Sequence, residues 1–453
     1  MRVVHVPFGY YPDAVGGTEA YVAELARGLR VRGVDSVVAA PAGSLGAHRY
    51  DHDGTPVYRF AMSPTDDVGE LYGEGDPDAA SAVSRILDEV RADVLHLHAF
   101  TRAASLRLAR TARRQGLPVV FTYHTPTASC VRGTLLREGR ETCDGALIGQ
   151  RCTACLLESR GVPLAARKAL SRAPAAFGSA IGAAGVGGRW ATALRARGLV
   201  DARHHAFRQL LSDANAIVAV CEWVRALLLR AGAPPARLML SRQGTPAHTP
   251  PRPQRPRSAG DPLRMGFVGR LHRSKGVHVV VAALVGNRAL PMTLDVYGIV
   301  EDAYGERYRD ELRAMAADDP RIRFCAPLPR GRVVDTLADY DLTVVPSQWL
   351  ETGPLVVLES FAAGVPVVGS NLGGIAELVR HDRDGWLVRY DDPGAWSSAL
   401  QRFASERAHV ERLRGGVERP RSTDDVARDM VAVYESVAPA AARRGFHDTA
   451  GIA

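Results

Sequence analysis

Lysine is nearly absent from this chain, which has 57 basic side chains but only two lysines, Lys168 and Lys275. A lysine presents a compact ammonium on a flexible stem, and the planar guanidinium of arginine does not replace it at every site. Lys275 comes after a predicted strand and the glycine that follows that strand, and another glycine comes directly after Lys275. This placement predicts a phosphate-binding loop over residues 269–276. Coincidence is the alternative hypothesis, because the sequence pattern alone does not show what the ammonium contacts.

Long apolar runs are also missing. The charge-free stretch from Ala173 to Gly188 has 16 residues, five of them glycine, and is too short and too weakly apolar for a spanning helix. The chain begins on a predicted strand, without the basic and apolar regions that make up a secretory signal. We therefore expect a cytoplasmic protein without a transmembrane segment.

Acidic residues are scarce in residues 160–208, which carry nine basic residues and a single acidic one, Asp201. This excess equals the formal net charge of the whole chain, +8. The segment is rich in alanine and glycine and has scattered apolar residues, a composition that suits peripheral binding to an anionic membrane surface or to an anionic substrate. A solvated basic helix pair or an unstructured insertion is the alternative. Nucleic acid is disfavoured, because no aromatic platform or known reading motif accompanies the charge.

Strand patterns alternate with helical patterns along the chain, which is typical of parallel sheets covered on both faces. The predicted strands are 3–7, 36–40, 57–60, 94–98, 119–123 and 216–220 in the first half, and 264–268, 293–297, 321–325, 342–346, 365–369 and 386–388 in the second. They predict two doubly wound α/β domains, residues 1–245 and 263–422, joined by a proline-rich linker, 246–262. An amphipathic helix over 423–437 and a disordered tail over 438–453 follow. Ligands of such folds bind at the carboxyl ends of the strands, so we expect a central cleft between the domains.

The most specific pattern is the run from Ser347 to Glu359. Within it, Gly353 and Pro354 predict the start of a helix, because proline at the first helical position loses no needed donor. The first free amides of that helix would belong to Leu355 and Val356. A helix N-terminus with free amides favours a phosphate, so a phosphate of the ligand is expected there.

Two carboxylates accompany this predicted helix start. Glu351 precedes the helix and Glu359 lies inside it, so they can contact different hydroxyl groups of one extended ligand. Two surface glutamates are the alternative. Farther along, Gly373 and Gly374 follow a predicted strand, and their small size would let the backbone approach the ligand closely.

Together these motifs resemble the retaining GT-B glycosyltransferases of family 4, and the resemblance covers most of the chain. The residues that carry it are Gly16, Gly17, Gly269, Arg270, Lys275, Glu351, Glu359, Gly373, Gly374 and Glu377. It implies two Rossmann-like domains and transfer of a sugar from a UDP- or GDP-sugar to a hydroxyl acceptor, in polysaccharide, glycolipid or secondary-metabolite biosynthesis. The hydroxyl acceptors that the resemblance implies include lipid-linked ones. A nucleotide-sugar epimerase or hydrolase, and a non-catalytic adaptor that binds a sugar nucleotide, are alternative hypotheses.

The resemblance also implies roles for single residues. Arg270 and Lys275, after Gly269, would bind the donor pyrophosphate and stabilise its departure, because fixed cations stabilise the charge that the leaving group gains. Glu351 would contact hydroxyls of the donor sugar, and Glu359 the ribose hydroxyls. No catalytic metal is expected.

The first domain is expected to bind the acceptor. Gly16 and Gly17 follow the first predicted strand, where a flexible backbone can approach a sugar or a phosphate. Thr18 would cap a helix that begins at Glu19.

Three histidines lie in predicted strands of the first domain or directly after one. His124 matches a cleft histidine of the family and is expected to contact the acceptor, with a hydrogen-bonded structural role as the alternative. His96 and His98 lie on one face of a strand, and we interpret both as structural because no third ligand group is evident.

A cysteine cluster departs from the simplest family pattern. Four of the six cysteines lie close together in the sequence, within a predicted insertion over about 128–160: Cys130, Cys143, Cys152 and Cys155. The two-residue interval of the last pair predicts a hairpin like a zinc knuckle, and four thiolates suit a closed structural Zn²⁺ site. An iron–sulfur cluster, redox disulfides and no metal are the alternatives. Cys221 and Cys325 are predicted to be buried thiols.

Overall fold

The structure is a computed structural model that describes residues 1–13, 16–42, 46–64, 68–174, 189–246 and 260–438. The contacts divide the chain into two compact units. Unit 1 comprises Met1–Arg242 and the chain from Asp424 onward, and unit 2 comprises Gln243–Thr423. Most of the predicted linker, most of the predicted tail and part of the basic segment lie outside the described residues.

Unit 1 is built on an eight-stranded sheet with the order β10-β9-β6-β5-β1-β2-β4-β3. All neighbouring strands are parallel except β3 and β4. The strands are β1 (Arg2–Val6), β2 (Asp35–Pro41), β3 (Arg49–His52), β4 (Thr55–Phe60), β5 (Val94–Leu97), β6 (Val119–Tyr123), the separate hairpin pair β7 (Leu136–Arg137) and β8 (Glu141–Thr142), β9 (Ala216–Ala219) and β10 (Leu238–Leu240). The sequence did not predict β3 and β10, because both are short edge strands that lack a fully buried apolar run.

The helices of unit 1 cover the sheet. They are α1 (Gly17–Arg30), α2 (Val68–Tyr72), α3 (Pro77–Glu89), α4 (Leu106–Arg114), α5 (Gly149–Ser159), α6 (Leu164–Arg172), α7 (Arg189–Asp213), α8 (Glu222–Arg230) and the helix at the end of the chain, α16 (Thr423–Val437). Among the described residues, no helix is long and apolar enough to cross a membrane.

Helix α16 returns to unit 1 after the chain has completed unit 2. Its buried face, which includes Val426, Met430 and Tyr434, packs into the same hydrophobic core as Val3 of β1 and Val22 of α1. The two ends of the chain therefore share one core, and unit 1 is made from two separate stretches of sequence.

The basic segment is only partly available to an external partner. Arg203 is buried, Arg197 pairs with Asp201 at 2.7 Å, and Arg167 lies 3.5 Å from Glu138. These three arginines interact within unit 1, whereas the prediction assigned the charge of the segment to an anionic membrane surface or an anionic substrate. Binding to an anionic membrane stays a prediction.

Unit 2 contains a six-stranded, all-parallel sheet with the order β13-β12-β11-β14-β15-β16. Its strands are β11 (Leu263–Arg270), β12 (Met292–Ile299), β13 (Ile322–Cys325), β14 (Leu342–Val345), β15 (Val367–Ser370) and β16 (Gly385–Val388). The chain builds outward from β11 to one side and then returns to place β14 on its other side. Ligands of such sheets bind outside the carboxyl ends of the strands, at the point where the strand order reverses.

The helices of unit 2 are α9 (Val277–Val285), α10 (Ala303–Ala316), α11 (Val333–Leu337), α12 (Leu355–Ala362), α13 (Gly373–Leu378), α14 (Pro393–Ser405) and α15 (Arg407–Gly415). The largest fully buried side chain of this unit, Trp396 of α14, lies in a core with Val280 of α9 and Leu294 of β12. This core fixes β11 and β12, and the loops that leave them begin from buried strands.

Candidate active site

The two loops that the sequence singled out leave neighbouring strands at the reversal point of the unit 2 sheet. The loop with Lys275 follows β11, and the loop with Glu351 follows β14. Residues 76 positions apart are brought into contact there: Lys275 Nζ donates a hydrogen bond to Glu351 Oε1 at 2.6 Å. The fold thus joins the scarce lysine to the first of the two predicted glutamates.

Glu351 Oε1 accepts two further hydrogen bonds, from Ser347 Oγ and from Trp349 Nε1, both at 2.8 Å. The Lys275 ammonium also lies over the Trp349 ring, 5.5 Å from its centroid. Three donors on one oxygen hold the carboxylate in a single orientation, and charge-assisted bonds of this kind are stronger than neutral ones.

These contacts decide the ionisation of Glu351. Burial alone would raise its pKa, but Lys275 and the hydrogen bonds from Ser347 and Trp349 outweigh burial and lower the pKa below its ordinary value. A carboxylate that stays ionised at neutral pH is an acceptor only. Glu351 is therefore suited to receive hydrogen bonds from hydroxyl groups.

The lysine loop is held by the chain that precedes Glu351. Gln348 N donates to Ser274 O at 2.7 Å, which ties the two loops together. Gly276 has φ +72°, and a Cβ on it would lie 1.8 Å from Pro346 O. Glycine is required at this position both by the left-handed backbone and by the close approach of the second loop.

The predicted glycine turn contacts the loop that carries Glu351. Gly374 N donates to Glu351 O at 2.7 Å, and a Cβ on Gly374 would lie 2.8 Å from that same oxygen. A Cβ on Gly373 would lie 3.0 Å from it. The small size of both glycines is therefore needed for close contact with the Glu351 backbone, and close approach to a ligand stays a prediction.

The other predicted donor-site residues belong to β11 and α12. Arg270 ends β11 and pairs with Glu301 at 3.1 Å. Gly269 precedes it in the strand. Helix α12 begins at Leu355, followed by Val356, and Glu359 is half-buried in its middle.

The start of α12 differs slightly from the prediction. Pro354 is the N-cap residue, with an extended backbone, whereas we had placed it at the first helical position. Gly353 lies against the side chain of Gln243, whose Oε1 would be 2.8 Å from an added Cβ.

In unit 1 the glycine pair starts α1 as expected, but the capping differs. The helix begins at Gly17, with Gly16 as N-cap, and Glu19 Oε2 accepts a hydrogen bond from Gly16 N at 2.8 Å. Thr18 lies buried in the first turn. The prediction that Thr18 caps a helix beginning at Glu19 is wrong, because the helix begins at Gly17 and Thr18 lies inside its first turn.

His124 follows β6 and is 5% exposed. Its Nε2 is 3.1 Å from His98 Nδ1, and its ring lies against the Tyr21 ring with centroids 4.6 Å apart. Burial lowers the pKa of His124 to about 3. The ring is therefore neutral at physiological pH and presents one N–H donor and one acceptor nitrogen.

Known families match both units. Residues 16–244 match the family described as glycosyl transferase 4-like domain, and residues 262–406 match the glycosyl transferases group 1. The chain belongs to the family 4, group 1 glycosyltransferases. Membership confirms the resemblance drawn from the motifs, and the predicted enzyme class is the class of this family.

Sequence relatives of this glycosyltransferase match part of the chain. A D-inositol 3-phosphate glycosyltransferase of Corynebacterium urealyticum is 32% identical over 195 residues, 40% of this chain and 45% of the relative. A glycogen synthase of Mycobacterium tuberculosis is 32% identical over 196 residues, 42% of this chain and 45% of the relative. The matched region thus spans less than half the length of these relatives.

Solved structures resemble the whole fold. HepE of Anabaena, in complex with UDP and glucose, has a TM-score of 0.64 at 16% identity, with 96% of this chain and 100% of that chain covered. Sucrose-phosphate synthase of Thermosynechococcus elongatus has a TM-score of 0.64 at 17% identity, with 96% and 98% covered. These likenesses confirm the GT-B fold class.

One buried residue of the glycosyltransferase was missed by sequence reasoning. Arg203 of α7 donates through Nη2 to Phe100 O at 2.7 Å and to Thr127 O at 3.0 Å, and its guanidinium lies over the Phe100 ring. Burial lowers its pKa to about 10. It holds the segments that follow β5 and β6, close in sequence to His124. The only sequence signal was its place in the basic segment, which we interpreted as binding a membrane surface or an anionic substrate.

The cysteine cluster differs from the predicted hairpin. Cys152 and Cys155 lie one turn apart on α5, and Cys155 Sγ accepts a hydrogen bond from Glu138 N at 3.3 Å. Cys130 and Cys143 lie in the chain before α5. Among the described residues, the potential metal-binding atoms that lie within 4.8 Å of one another in a group of three belong to His5, His96 and His98, and none belongs to these cysteines. The zinc site and the insertion stay predictions.

The two remaining cysteines differ from each other. Cys221 is buried, as predicted, and is the N-cap residue of α8, without a capping hydrogen bond from its side chain. Cys325 is half-buried at the end of β13, an edge strand of the unit 2 sheet, so the prediction of a buried thiol is wrong there.

Proposed function

We propose that this protein is a retaining glycosyltransferase that moves a sugar from a UDP-sugar to a hydroxyl acceptor. The observation that carries the proposal is the ionised Glu351, fixed by Lys275 at the reversal point of the unit 2 sheet. A sugar nucleotide offers what this pair can bind, namely hydroxyl donors beside a diphosphate. Retention stays at the level of the family resemblance.

Lys275 can serve both partners at once. An ammonium has three donors, and one of them is used on Glu351. The remaining donors suit oxygens of the donor diphosphate, which gains negative charge as the glycosidic bond breaks. A fixed cation close to that charge stabilises the transition state more than the ground state. Arg270 and the first amides of α12 would add further donors, and Glu359 would accept from the ribose hydroxyls.

Unit 1 would supply the acceptor site. The neutral ring of His124 can donate to, or accept from, an acceptor hydroxyl, and the backbone at Gly16 and Gly17 begins a helix where an anionic group would be favoured. In the expected same-face reaction the departing phosphate takes the proton of the acceptor hydroxyl, so His124 orients that hydroxyl and need not act as a strong base.

The relatives support the choice of substrate classes. One acts, by its name, on D-inositol 3-phosphate, and a putative colanic acid biosynthesis glycosyltransferase of Escherichia coli is 26% identical over 244 residues. HepE was solved with UDP-glucose as well as with UDP. We infer a hydroxyl acceptor from polysaccharide, glycolipid or secondary-metabolite synthesis, and uridine as the first base to test.

The test is binding followed by turnover. UDP, GDP and ADP are added to the purified protein at equal concentrations, and the unfolding temperature is measured. A diphosphate present at a hundred times its Kd stabilises the fold by about 2.7 kcal/mol, so the cognate nucleotide stands out. We expect UDP to give the largest increase.

Turnover of UDP-glucose then separates the alternatives. Glucose transferred to a hydroxyl acceptor such as D-inositol 3-phosphate supports the proposal. Free glucose or an epimerised donor, with no transfer, would favour the hydrolase or the epimerase. Binding without turnover of any UDP- or GDP-sugar would favour the adaptor, and no stabilisation by any diphosphate would contradict a donor site.

A further inference from the structure

Four buried histidines gather at the carboxyl edge of the unit 1 sheet. His5 lies in β1, His96 in β5, His98 directly after β5, and His124 directly after β6. The three strands are neighbours in the order β6-β5-β1, and β1 pairs with β5 and β2 at the reversal point of this sheet. None of the four side chains is more than 5% exposed.

Three of these histidines form a continuous hydrogen-bonded chain that ends on a serine. His124 Nε2 is 3.1 Å from His98 Nδ1, and His98 Nε2 is 3.0 Å from His5 Nδ1. His5 Nε2 is 3.3 Å from Ser36 Oγ, on β2. Both ring nitrogens of His5 and both of His98 are therefore occupied by the chain.

The chain couples the protonation of its members. A neutral imidazole carries one N–H, so a ring that donates through one nitrogen must accept through the other. If Ser36 donates to His5, then His5 donates to His98 and His98 donates to His124. If the first bond runs the other way, all the others reverse too. The direction of the chain thus decides which nitrogen of His124 carries the proton.

Burial keeps these rings in the neutral form that the chain requires. It lowers the pKa of His5 and of His124 to about 3, and it lowers the pKa of His98 well below its ordinary value. A charged ring in the middle of the chain would donate through both nitrogens and break the alternation.

A metal ion is the competing explanation, because nitrogens of His5, His96 and His98 lie within 4.8 Å of one another. His96, however, already has both nitrogens in hydrogen bonds of 2.7 Å, to the hydroxyl groups of Tyr434 and Thr122. An ion between the three rings would also replace the bond that joins His5 to His98. The hydrogen-bonded chain uses the observed contacts without breaking any.

We propose that Ser36, His5 and His98 are positioning residues that fix the ring orientation and the tautomer of His124. The inference rests on the proposed acceptor role of His124 and deepens it. With the tautomer fixed, the other nitrogen of His124 is either a donor or an acceptor toward a hydroxyl, and this choice selects how the acceptor is oriented. His96 lies outside this chain and instead joins β5 to α16 through Tyr434.

Two variants of His98 provide a matched test, since each keeps one half of the ring's bonding. An asparagine amide falls near the position of Nδ1, so His98→Asn keeps a partner for His124 and loses the bond to His5. A glutamine amide falls near the position of Nε2, so His98→Gln keeps the bond to His5 and loses the one to His124. The readout is the ¹⁵N spectrum of the histidine rings in the full-length protein, with the His124 signals assigned by their loss in His124→Asn.

We expect His98→Gln to change the ¹⁵N shifts of His124 strongly and His98→Asn to change them less. Ser36→Ala provides a variant at a half-buried position that does not depend on replacing a core ring. Removal of the serine hydroxyl at the far end of the hydrogen-bonded chain should still alter the tautomer population of His124. Ser81→Ala, on an exposed face of α3, should not alter it. Unfolding temperatures are measured on every variant.

Unchanged His124 shifts in both His98→Gln and Ser36→Ala would overturn the proposal. So would a stoichiometric metal ion in the purified protein that is lost in His5→Asn, because the rings would then be ligands. Turnover of UDP-glucose is measured separately. A wild-type protein without turnover contradicts the proposed function, while the spectra still decide whether the chain sets the tautomer. If turnover is present, His98→Gln should reduce transfer by about 10²-fold, the usual effect of misplacing a substrate-contacting group.

Discussion

At the scale of single residues, the contacts of one oxygen atom determine the ionisation state of Glu351 in unit 2. Glu351 Oε1 receives hydrogen bonds from Lys275, Ser347 and Trp349. The ammonium therefore keeps the buried glutamate ionised, and in the proposed donor site it would also offer donors to a phosphate. Arginine would keep the charge but would replace the compact ammonium with a larger planar fork, which gives a physical reason for a lysine beside Glu351 in a chain that otherwise uses arginine.

Lys275→Ala is expected to reduce turnover of UDP-glucose by about 10²- to 10³-fold, the usual effect of removing one preorganised group that stabilises transition-state charge. The pKa of Glu351 should rise as well, because its counter-ion is lost while it stays buried. The only other lysine provides the matched control: Lys168 is exposed on α6, and Lys168→Ala should retain wild-type turnover. Circular dichroism and unfolding temperature establish that both variants fold. Wild-type turnover in a folded Lys275→Ala protein would contradict the leaving-group role.

At the level of elements, the site depends on loops that contact each other directly. The lysine loop contacts the chain after β14 through Gly276, and the turn that starts α13 contacts the Glu351 backbone through Gly374. Three separate strand ends are thus packed into one arrangement. The glycines make this packing possible because a methyl group at either position would overlap with a carbonyl oxygen.

Gly276→Ala should reduce the free energy of unfolding of unit 2 by about 1–3 kcal/mol or more, since strain from the left-handed backbone adds to the clash with Pro346 O. Gly415→Ala, where an added Cβ meets nothing within 4 Å, is the control and should change stability by no more than about 0.5 kcal/mol. Urea unfolding measures both, and UDP binding reports on the loop. Equal stabilities of the two variants would show that the second loop moves away at little cost.

Much of this element-level arrangement was predictable, and the exceptions share a cause. Apolar runs located most strands to within a residue or two, and the pattern of α16 gave its bounds of Thr423–Val437. Local sequence could not show contacts between distant segments. His96 and His98 lacked an evident third group because His5, 91 and 93 residues earlier, is brought beside them only by the pairing of β1 with β5. The capping by Glu19 and the helical setting of Cys152 likewise depend on conformation that the motif alone left open.

Across the whole molecule, neutral buried histidines make stability depend on pH. Burial lowers the pKa of His5 and His124 to about 3 and that of His204 to about 4 in unit 1, and that of His278 in unit 2 to about 4. In the unfolded chain these rings have an ordinary pKa of about 6.5. Below that pH the unfolded state therefore binds protons that the folded state does not bind, and acid favours unfolding.

The free energy of unfolding should be nearly constant above pH 7 and should fall steadily between about pH 6 and 4.5. Each such histidine contributes a loss of roughly 1.4 kcal/mol per pH unit, from its unfolded pKa down to its folded one. Urea midpoints measured at half-unit intervals of pH test this. His204→Gln removes one titrating group on α7 that lies outside the hydrogen-bonded chain from Ser36 to His124. The free energy of unfolding of this variant should therefore fall less steeply, by roughly 1.4 kcal/mol per pH unit. A midpoint that does not change from pH 7 to 5 would mean that the buried rings take up protons while folded, and the neutral chain from Ser36 to His124 could then not exist in that range.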